Sequence, residues 1–566
     1  MRKDEFPSEM PKGLWITLLA ATTLPMWLTL GTTLLAPDGT VYALLAKEMV
    51  WRDDYLRLYL IGQDWLDKPH FPFWMTALSY QLFGINEWGY RIPGFLFTLL
   101  GGVYTYFLAR RFYNKQVAQW SSLFYLSALH TLLGLIDLRA EAYLTALIVA
   151  SVYHFSLARE SGKSGWLPHL AAGAFWAALA AMTKGPLGLI VIGSAIGGEI
   201  LVKKQWRELI HPKWLLAIVL TFLFLAPELY ALYIQFDAEP TKVVYGNWEA
   251  NSGIRFFLWD SQWGRFTNTG PITGTSDPFF FLHTLLWVFL PWSILLYAGV
   301  FKRLRDNIPR LQRQQEFYTL SAVVITFGLF SVSRFQLSHY LSILFPFFAI
   351  LTADYMAGLR SKSGMRFFRI TQYLIMGLGI AALAGIHWLF RPEEVPVAFW
   401  MILALIPVAL FLCLYLFKPS VKDRIITESV WVYLAAYVYL SLVFYPNLLS
   451  YQGDDKVARY LNEKQPGIRA STYDFPNSCF EFYYDQRSLR DSLPSLPETL
   501  EEEGRVLLVA VEEGKKELEA NDIPFEIVET FPHFHITKLT LPFLNHQTRP
   551  ESLEKRYLLK VDSMAP

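Results

Sequence analysis

LWITLLAATTLPMWLTLGTTLLA, residues 14–36, runs into PDGTVYALLAKEM, residues 37–49, and the fold turns on that junction. The first part carries no charge and exceeds the ~20 residues that a helix needs to cross a bilayer. The second opens on a proline and an aspartate, so a carboxylate stands where the chain leaves the membrane. A cleaved signal peptide would have a shorter apolar core and a small-residue cleavage site. The run is therefore expected to stay as a first helix behind the basic N-terminus MRKDEFPSEMPKG.

The same pattern recurs down the chain. Hydrophobic residues are 53% of the 566 and charged residues 17%, which points to a mainly α polytopic membrane protein. About thirteen spans of roughly 20 residues can be read: 14–36, 92–109, 116–136, 142–158, 166–182, 187–202, 214–236, 278–300, 316–333, 340–357, 371–390, 396–417 and 429–447. Alternate connections are basic: RRFYNK (110–115), RESGK (159–163), KKQWRELIHPK (203–213), KRLRDNIPRLQR (302–313), RSKSGMRFFR (360–369) and KPSVKDR (418–424). Basic loops stay in the cytoplasm. An odd number of spans then puts the C-terminal region outside, in a bacterial-type inner (plasma) membrane. The net charge of +1 offers no footprint for nucleic acid.

Residues 1–450 thus form a transmembrane domain. Its first outward connection, 37–91, has helical apolar spacing around Val41–Val50 and Phe71–Phe83, too short to span and suited to the interface. Residues 451–566 are mostly polar. VARYLNEK reads as helix, and RVLLVAVE, FEIVETF and HITKLTL as strands, which predicts a small extracytoplasmic α/β domain. GLGIAALAG (377–385) lies inside a span and reads as helix packing through small residues. His533 and His535 would share a strand face, as surface or packing residues without further ligands. Cys413 sits in a span and Cys479 in the C-terminal region, so no disulfide is expected.

The chemistry gathers outside. Asp38 stands at the mouth of the first helix, Asp67 and Lys68 lie in WLDKPHFPFW, and Asp137, Arg139 and Glu141 form DLRAE. Asp137 and Glu141 are four apart, the spacing of one helix face. Lys184 in MTKGPLGL, Arg334 and His339 in SRFQLSHYL, and Arg255 and Arg265 in the third outward connection add positive charge. Charged groups at this depth are costly and usually functional. There is no Walker loop, HExxH or GxSxG.

PDGTVYALLAKEM, WLDKPHFPFW, LRAEAYLTAL, MTKGPLGL, FLPWS and QLSHYLSILFP, in this order across residues 37–346, resemble the polytopic GT-C glycosyltransferases. The likeness is strongest to the aminoarabinose transferases that modify lipid A, and more distant to protein O-mannosyltransferases. The resemblance implies transfer of a sugar from a polyprenyl (undecaprenyl-type) phosphate to an outside acceptor, first lipid A or a related envelope glycolipid and otherwise a glycan or, as in the protein O-mannosyltransferases, a protein, with membrane lipids around it. It makes Asp38 the catalytic carboxylate. Gly39 follows where relatives usually carry a second acid, which weakens any two-carboxylate mechanism there. Lys68 would face the lipid phosphate, and Asp67, the preceding acid, is associated with metal in relatives. Glu141 takes the place of their usual aspartate, with Asp137 and Arg139 in support. Arg255, Arg265, Arg334, His339 and Lys184 form the pool of phosphate-binding candidates. A polyprenyl-phosphate donor needs no nucleotide and no obligatory cofactor; a divalent metal is the one addition the family suggests. A flippase would show internal repeats and midplane helix breaks instead.

Overall fold

The computed structural model describes residues 9–160, 165–239, 242–244, 248–250, 252–269, 273–275, 277–307, 316–475 and 477–562. Among these, seven helices are long and apolar enough to cross a membrane: Glu87–Phe112, Ala140–Glu160, Trp206–Asp237, Ser338–Ala357, Lys362–Phe390, Val397–Phe417 and Val421–Leu449. Leu187–Val202 and Tyr318–Val332 are shorter apolar helices. The protein is mainly helical, as expected, but several spans differ from their sequence reading.

The first helix, α1 (Lys12–Leu28), stops well before residue 36. The interfacial segments form α2 (Asp38–Arg52) and α3 (Phe71–Phe83), joined through a hairpin of Tyr59–Leu60 and Gln63–Asp64. Next come α4 (Glu87–Phe112), α5 (Lys115–Leu126), α6 (Leu129–Ile136), α7 (Ala140–Glu160), α8 (Trp166–Lys184) and α9 (Leu187–Val202). Asn86 and Asn114 cap α4 and α5, their side chains accepting from Gly89 N–H and Val117 N–H at 2.9 Å each.

Two expected spans are interrupted, and they seal each other. The segment 116–136 breaks between α5 and α6, and 278–300 breaks at Pro291 into Phe280–Val288 and Ser293–Asn307. The backbone groups this frees find partners inside the protein. Leu129 N–H donates to Leu290 carbonyl at 2.9 Å, Tyr437 hydroxyl donates to Ser127 carbonyl at 2.6 Å, and Gln372 amide donates to Pro291 carbonyl at 3.2 Å. Irregular backbone at membrane depth is tolerable only where protein satisfies it in this way. Segment 340–357 likewise begins as a 3-10 turn, Ser338–Leu344, before Phe345–Ala357. GLGIAALAG is helical, but beta carbons added at Gly377 or Gly385 would meet nothing within 4 Å. Gly379 does face a neighbour, the Tyr433 side chain, 3.4 Å from where its beta carbon would stand, so packing through a small residue is found at that position.

The C-terminal region holds a five-stranded sheet in the order Leu489–Asp491, Ala470–Tyr473, Arg505–Ala510, Glu554–Asp562, Glu526–His533. The first three strands are parallel and the last two pairings antiparallel. HITKLTL forms no strand, because the chain turns after His533; the sheet uses EKRYLLKVD instead. His533 is therefore buried near Asp454, while exposed His535 lies beyond the strand and contacts Thr537.

The sheet region is fastened to the interfacial helix α2. The buried Lys47 ammonium of α2 donates to the carbonyls of Glu481, Phe482 and Tyr484 at 2.8, 2.8 and 2.7 Å. Nearby, Asp455 is buried beside Arg459 on helix Gly453–Lys464, and burial pushes its carboxyl up to about 7. A raised native value means that the folded state prefers the protonated acid. This contribution to stability is complete below the ordinary carboxylate range and is lost as pH rises through about 7. Between pH 5 and pH 8 the wild type should lose about 2–3 kcal/mol more stability than Asp455→Asn. Thermal unfolding of both proteins across that range checks it; identical pH profiles would contradict it.

Candidate functional site

Arg91 organises the site, although the sequence reading used it only as a loop boundary. It is fully buried near the start of α4 and donates to five carbonyls. Leu30 (3.3 Å), Thr32 and Thr33 (3.1 Å) belong to the segment after α1, while Leu135 (3.0 Å) and Ile136 (3.0 Å) end α6. The guanidinium thereby ties the lead-in to Asp38 to the lead-in to Arg139. A lysine cannot reproduce that planar fork. Arg91→Lys should lose about 3 kcal/mol of stability by leaving buried carbonyls unpaired, which thermal unfolding in detergent would measure. It should also separate the two loops and lower activity.

The fastened loops meet in ion pairs. Asp38 begins α2, where a helix N-terminus favours a carboxylate. Its Oδ2 lies 2.6 Å from Arg139 Nη1, and its side chain is 48% exposed, so it remains open to a reactant. Arg139 also holds Asp137, Nη2 to Oδ2 at 2.7 Å. Asp137 Oδ1 is buried without a hydrogen-bond partner among the described residues. Burial raises the Asp137 carboxyl above its ordinary range against the pull of Arg139. Asp137 and Glu141 do not share one helix, as their spacing suggested: Asp137 caps α6, and α7 starts at Ala140.

Glu141 turns inward. It pairs with Lys184 at the end of α8, and His339 Nε2 lies 3.5 Å away. The Lys184 ammonium sits 4.1 Å from the centre of the Tyr340 ring. Beside it, Asp67 pairs with Lys68 through one oxygen and with Arg265 through the other. Burial works to raise Asp67, but Lys68 and Arg265 outweigh it and hold the carboxyl below its ordinary range. Lys68 is lowered by burial, despite Asp67. Tyr42, one turn on from Asp38, lies within the field of these groups. Burial and then the charges of Asp67, Glu141 and Asp38 hold its phenol well above the ordinary value.

Two cavities meet at the Glu141–Lys184 pair. One, of about 220 Å³, is the more polar of the two and is lined by His130, Asp137, Arg139, Glu141, His339 and Tyr445 among others. The other, of about 380 Å³, starts at Lys184, Arg265 and Tyr340 and continues along apolar walls that include Leu187, Ile190, Trp259, Trp263, Phe330 and Phe335.

The fold thus gathers Asp38, Asp67, Lys68, Asp137, Arg139, Glu141, Lys184, Arg265 and His339. Two sequence candidates stand apart. Arg255 is 70% exposed and pairs with Asp260, and the Arg334 side chain is exposed although its neighbours Ser333 and Phe335 line the apolar cavity. Their connections carry them to the surface, a placement that sequence position alone does not encode. Tyr42 and Tyr340 were missed; each lies inside a motif already singled out, beside residues that were chosen.

A metal at Asp67 does not fit this arrangement. Both its oxygens are engaged by cations, and no group of three His, Cys, Asp or Glu suited to a metal occurs among the described residues.

A family model described as dolichyl-phosphate-mannose-protein mannosyltransferase matches residues 67–230. The undecaprenyl phosphate-alpha-4-amino-4-deoxy-L-arabinose arabinosyl transferase of Edwardsiella ictaluri is 27% identical over 389 residues, 67% of this chain and 65% of that protein. The protein of the same name from Serratia proteamaculans is 28% identical over 429 residues, 70% and 72% of the two chains. The matches therefore span about two-thirds of the length of these relatives. The crystal structure of ArnT from Cupriavidus metallidurans bound to undecaprenyl phosphate superposes with a TM-score of 0.72 at 18% identity, covering 97% of this chain and 98% of that one. Architecture and motif order agree: the chain has the GT-C fold of that ArnT structure, and its sequence is similar to these arabinosyl transferases.

Proposed function

We propose that this enzyme moves a sugar from a polyprenyl phosphate of the undecaprenyl type to an acceptor outside the membrane, lipid A or a related envelope glycolipid. The reading is carried by Lys184 and Arg265 at the head of the apolar cavity, with Lys68 held beside Arg265 through Asp67 in an adjoining small pocket. An isoprenoid chain fits the apolar walls, its phosphate faces the three cations, and the sugar projects toward the polar cavity. The relatives whose names specify an undecaprenyl phosphate donor support the same assignment.

The leaving group is a phosphate, a stable anion that needs little protonation. Catalysis then rests on fixed positive charge where the phosphate gains negative charge, worth about 3–4 kcal/mol per preorganised donor. Lys68 and Arg265 supply that charge, and Asp67 holds both in position. Glu141 holds Lys184, and His339 flanks the same carboxylate. Asp38 orients the acceptor and takes its proton if the acceptor is a hydroxyl, while Arg139 fixes the carboxylate and Asp137 fixes Arg139. Attack opposite the phosphate inverts the anomeric carbon.

The same reading assigns thirteen crossings, a cytoplasmic N-terminus, a catalytic membrane domain over residues 1–450 and an extracytoplasmic domain over 451–566, on the alternation of basic connections. The test is incubation of the purified protein with a radiolabelled polyprenyl-phosphate sugar and envelope glycolipid. Label should move to the acceptor. Movement of intact donor between leaflets without bond cleavage would make the protein a flippase instead.

A further inference from the structure

A second cleft lies away from the ion-pair cluster, where the sheet region faces the first outward connection. It has a volume of about 550 Å³. One wall is the carboxyl edge of two adjacent parallel strands, Ala470–Tyr473 and Leu489–Asp491. That edge is where open α/β sheets commonly bind ligands. The other wall is the hairpin around Leu60, Ile61 and Gln63.

Its polar groups are incompletely used. Thr472 is 1% exposed, and its hydroxyl has no hydrogen-bond partner among the described residues. Asp491 is 4% exposed. Its Oδ1 accepts from the hydroxyls of Thr499 at 2.6 Å and Ser495 at 3.2 Å, whereas Oδ2 has no such partner. Buried polar atoms are rarely left unpaired, and both of these belong to residues that line the cleft. Asp474, Arg490 and Ser492 complete its polar lining, and Leu60, Ile61 and Phe475 add apolar surface. Two carboxylates against one guanidinium make the cleft net negative, so it disfavours phosphate. Its unmatched acceptors call for hydroxyl or ammonium donors, and its apolar patches suit the C–H face of a sugar ring.

We propose that this cleft binds the saccharide portion of the acceptor, an inference that rests on the transferase reading above. The hairpin supplies a physical link to the donor site. Asp64 at its end accepts from the Gln235 amide at 2.8 Å, and Asp67 and Lys68 follow in the same connection. Acceptor glycan held here would be tethered to the enzyme while its reacting group enters the polar cavity.

The test uses the full-length protein in detergent, with chitobiose, maltotriose and inorganic phosphate as probes in calorimetric titration. At least one saccharide should bind saturably and phosphate should not. Thr472→Val keeps the side-chain shape and removes only the unpaired hydroxyl; it should weaken saccharide binding about tenfold. Arg490→Ala provides a second, surface-exposed variant. Absence of saccharide binding in folded wild type, or undiminished binding in both variants, overturns the proposal. In the transfer assay, the variants should raise acceptor KM about tenfold with kcat and donor KM unchanged. Wild-type turnover with acceptor KM unmoved by either variant overturns the cleft assignment alone. Saccharide binding without turnover from any polyprenyl-phosphate donor overturns the transferase reading, and the acceptor assignment with it.

Discussion

Asp38→Asn is expected to lower turnover by about 10²–10⁴-fold with a hydroxyl acceptor, the usual worth of general-base assistance. The amide keeps the size of the carboxylate and removes its charge and basicity. Arg139 retains Asp137 as a partner, so the substitution leaves the local structure supported. Donor affinity should be unchanged, because the cations assigned to the phosphate are Lys68, Lys184 and Arg265. The size of the loss also reports on the acceptor. A phosphate acceptor is already ionised and needs orientation but not deprotonation, so the loss would fall well short of 10²-fold. Single-turnover kinetics on purified, correctly inserted protein supply the measurement. Undiminished turnover with either acceptor class would remove Asp38 from the mechanism.

Much of this site was legible in the sequence because its residues sit in short motifs at the ends of spans. Asp38 after an uncharged run, Lys68 between Asp67 and Pro69, and Glu141 at the head of α7 could all be chosen from position and type. What position does not encode is direction. Glu141 and Lys184 are 43 residues apart, and only the packing of α7 against α8 makes them partners. Arg255 and Arg265 look equivalent in the sequence, yet one is 70% exposed and the other is 14% exposed and paired with Asp67. The helix breaks were hidden for a related reason. Hydropathy runs unbroken through Ser127 and Ala128, and the interruption is stable only because Leu290, Tyr437 and other groups from distant segments seal it. In the C-terminal region, EKRYLLKVD reads as mixed charge and apolar surface, and its strand is held by pairing on both sides. Tertiary partners settled each of these cases, and a single sequence does not display them.

The Asp67 pairings give the second large prediction a particular form. Lys68→Ala and Arg265→Ala should each lower kcat/KM for donor by about 10²–10³-fold, the cost of one preorganised charge at a developing anion. The two losses should not add. Asp67 now divides its charge between two cations. When either cation is removed, the whole carboxylate falls on the other and cancels much of its field at the phosphate, so the double variant should be little worse than the singles. It follows that Asp67→Asn introduced into Lys68→Ala should recover part of the lost activity by releasing Arg265, although Asp67→Asn alone is expected to be harmful because it unfastens both cations. A double-mutant cycle over Asp67, Lys68 and Arg265, read as donor KM and kcat, tests this directly. Additive losses at Lys68 and Arg265, with no recovery from the added Asp67→Asn, would show that the two cations act independently and that Asp67 does not mediate between them.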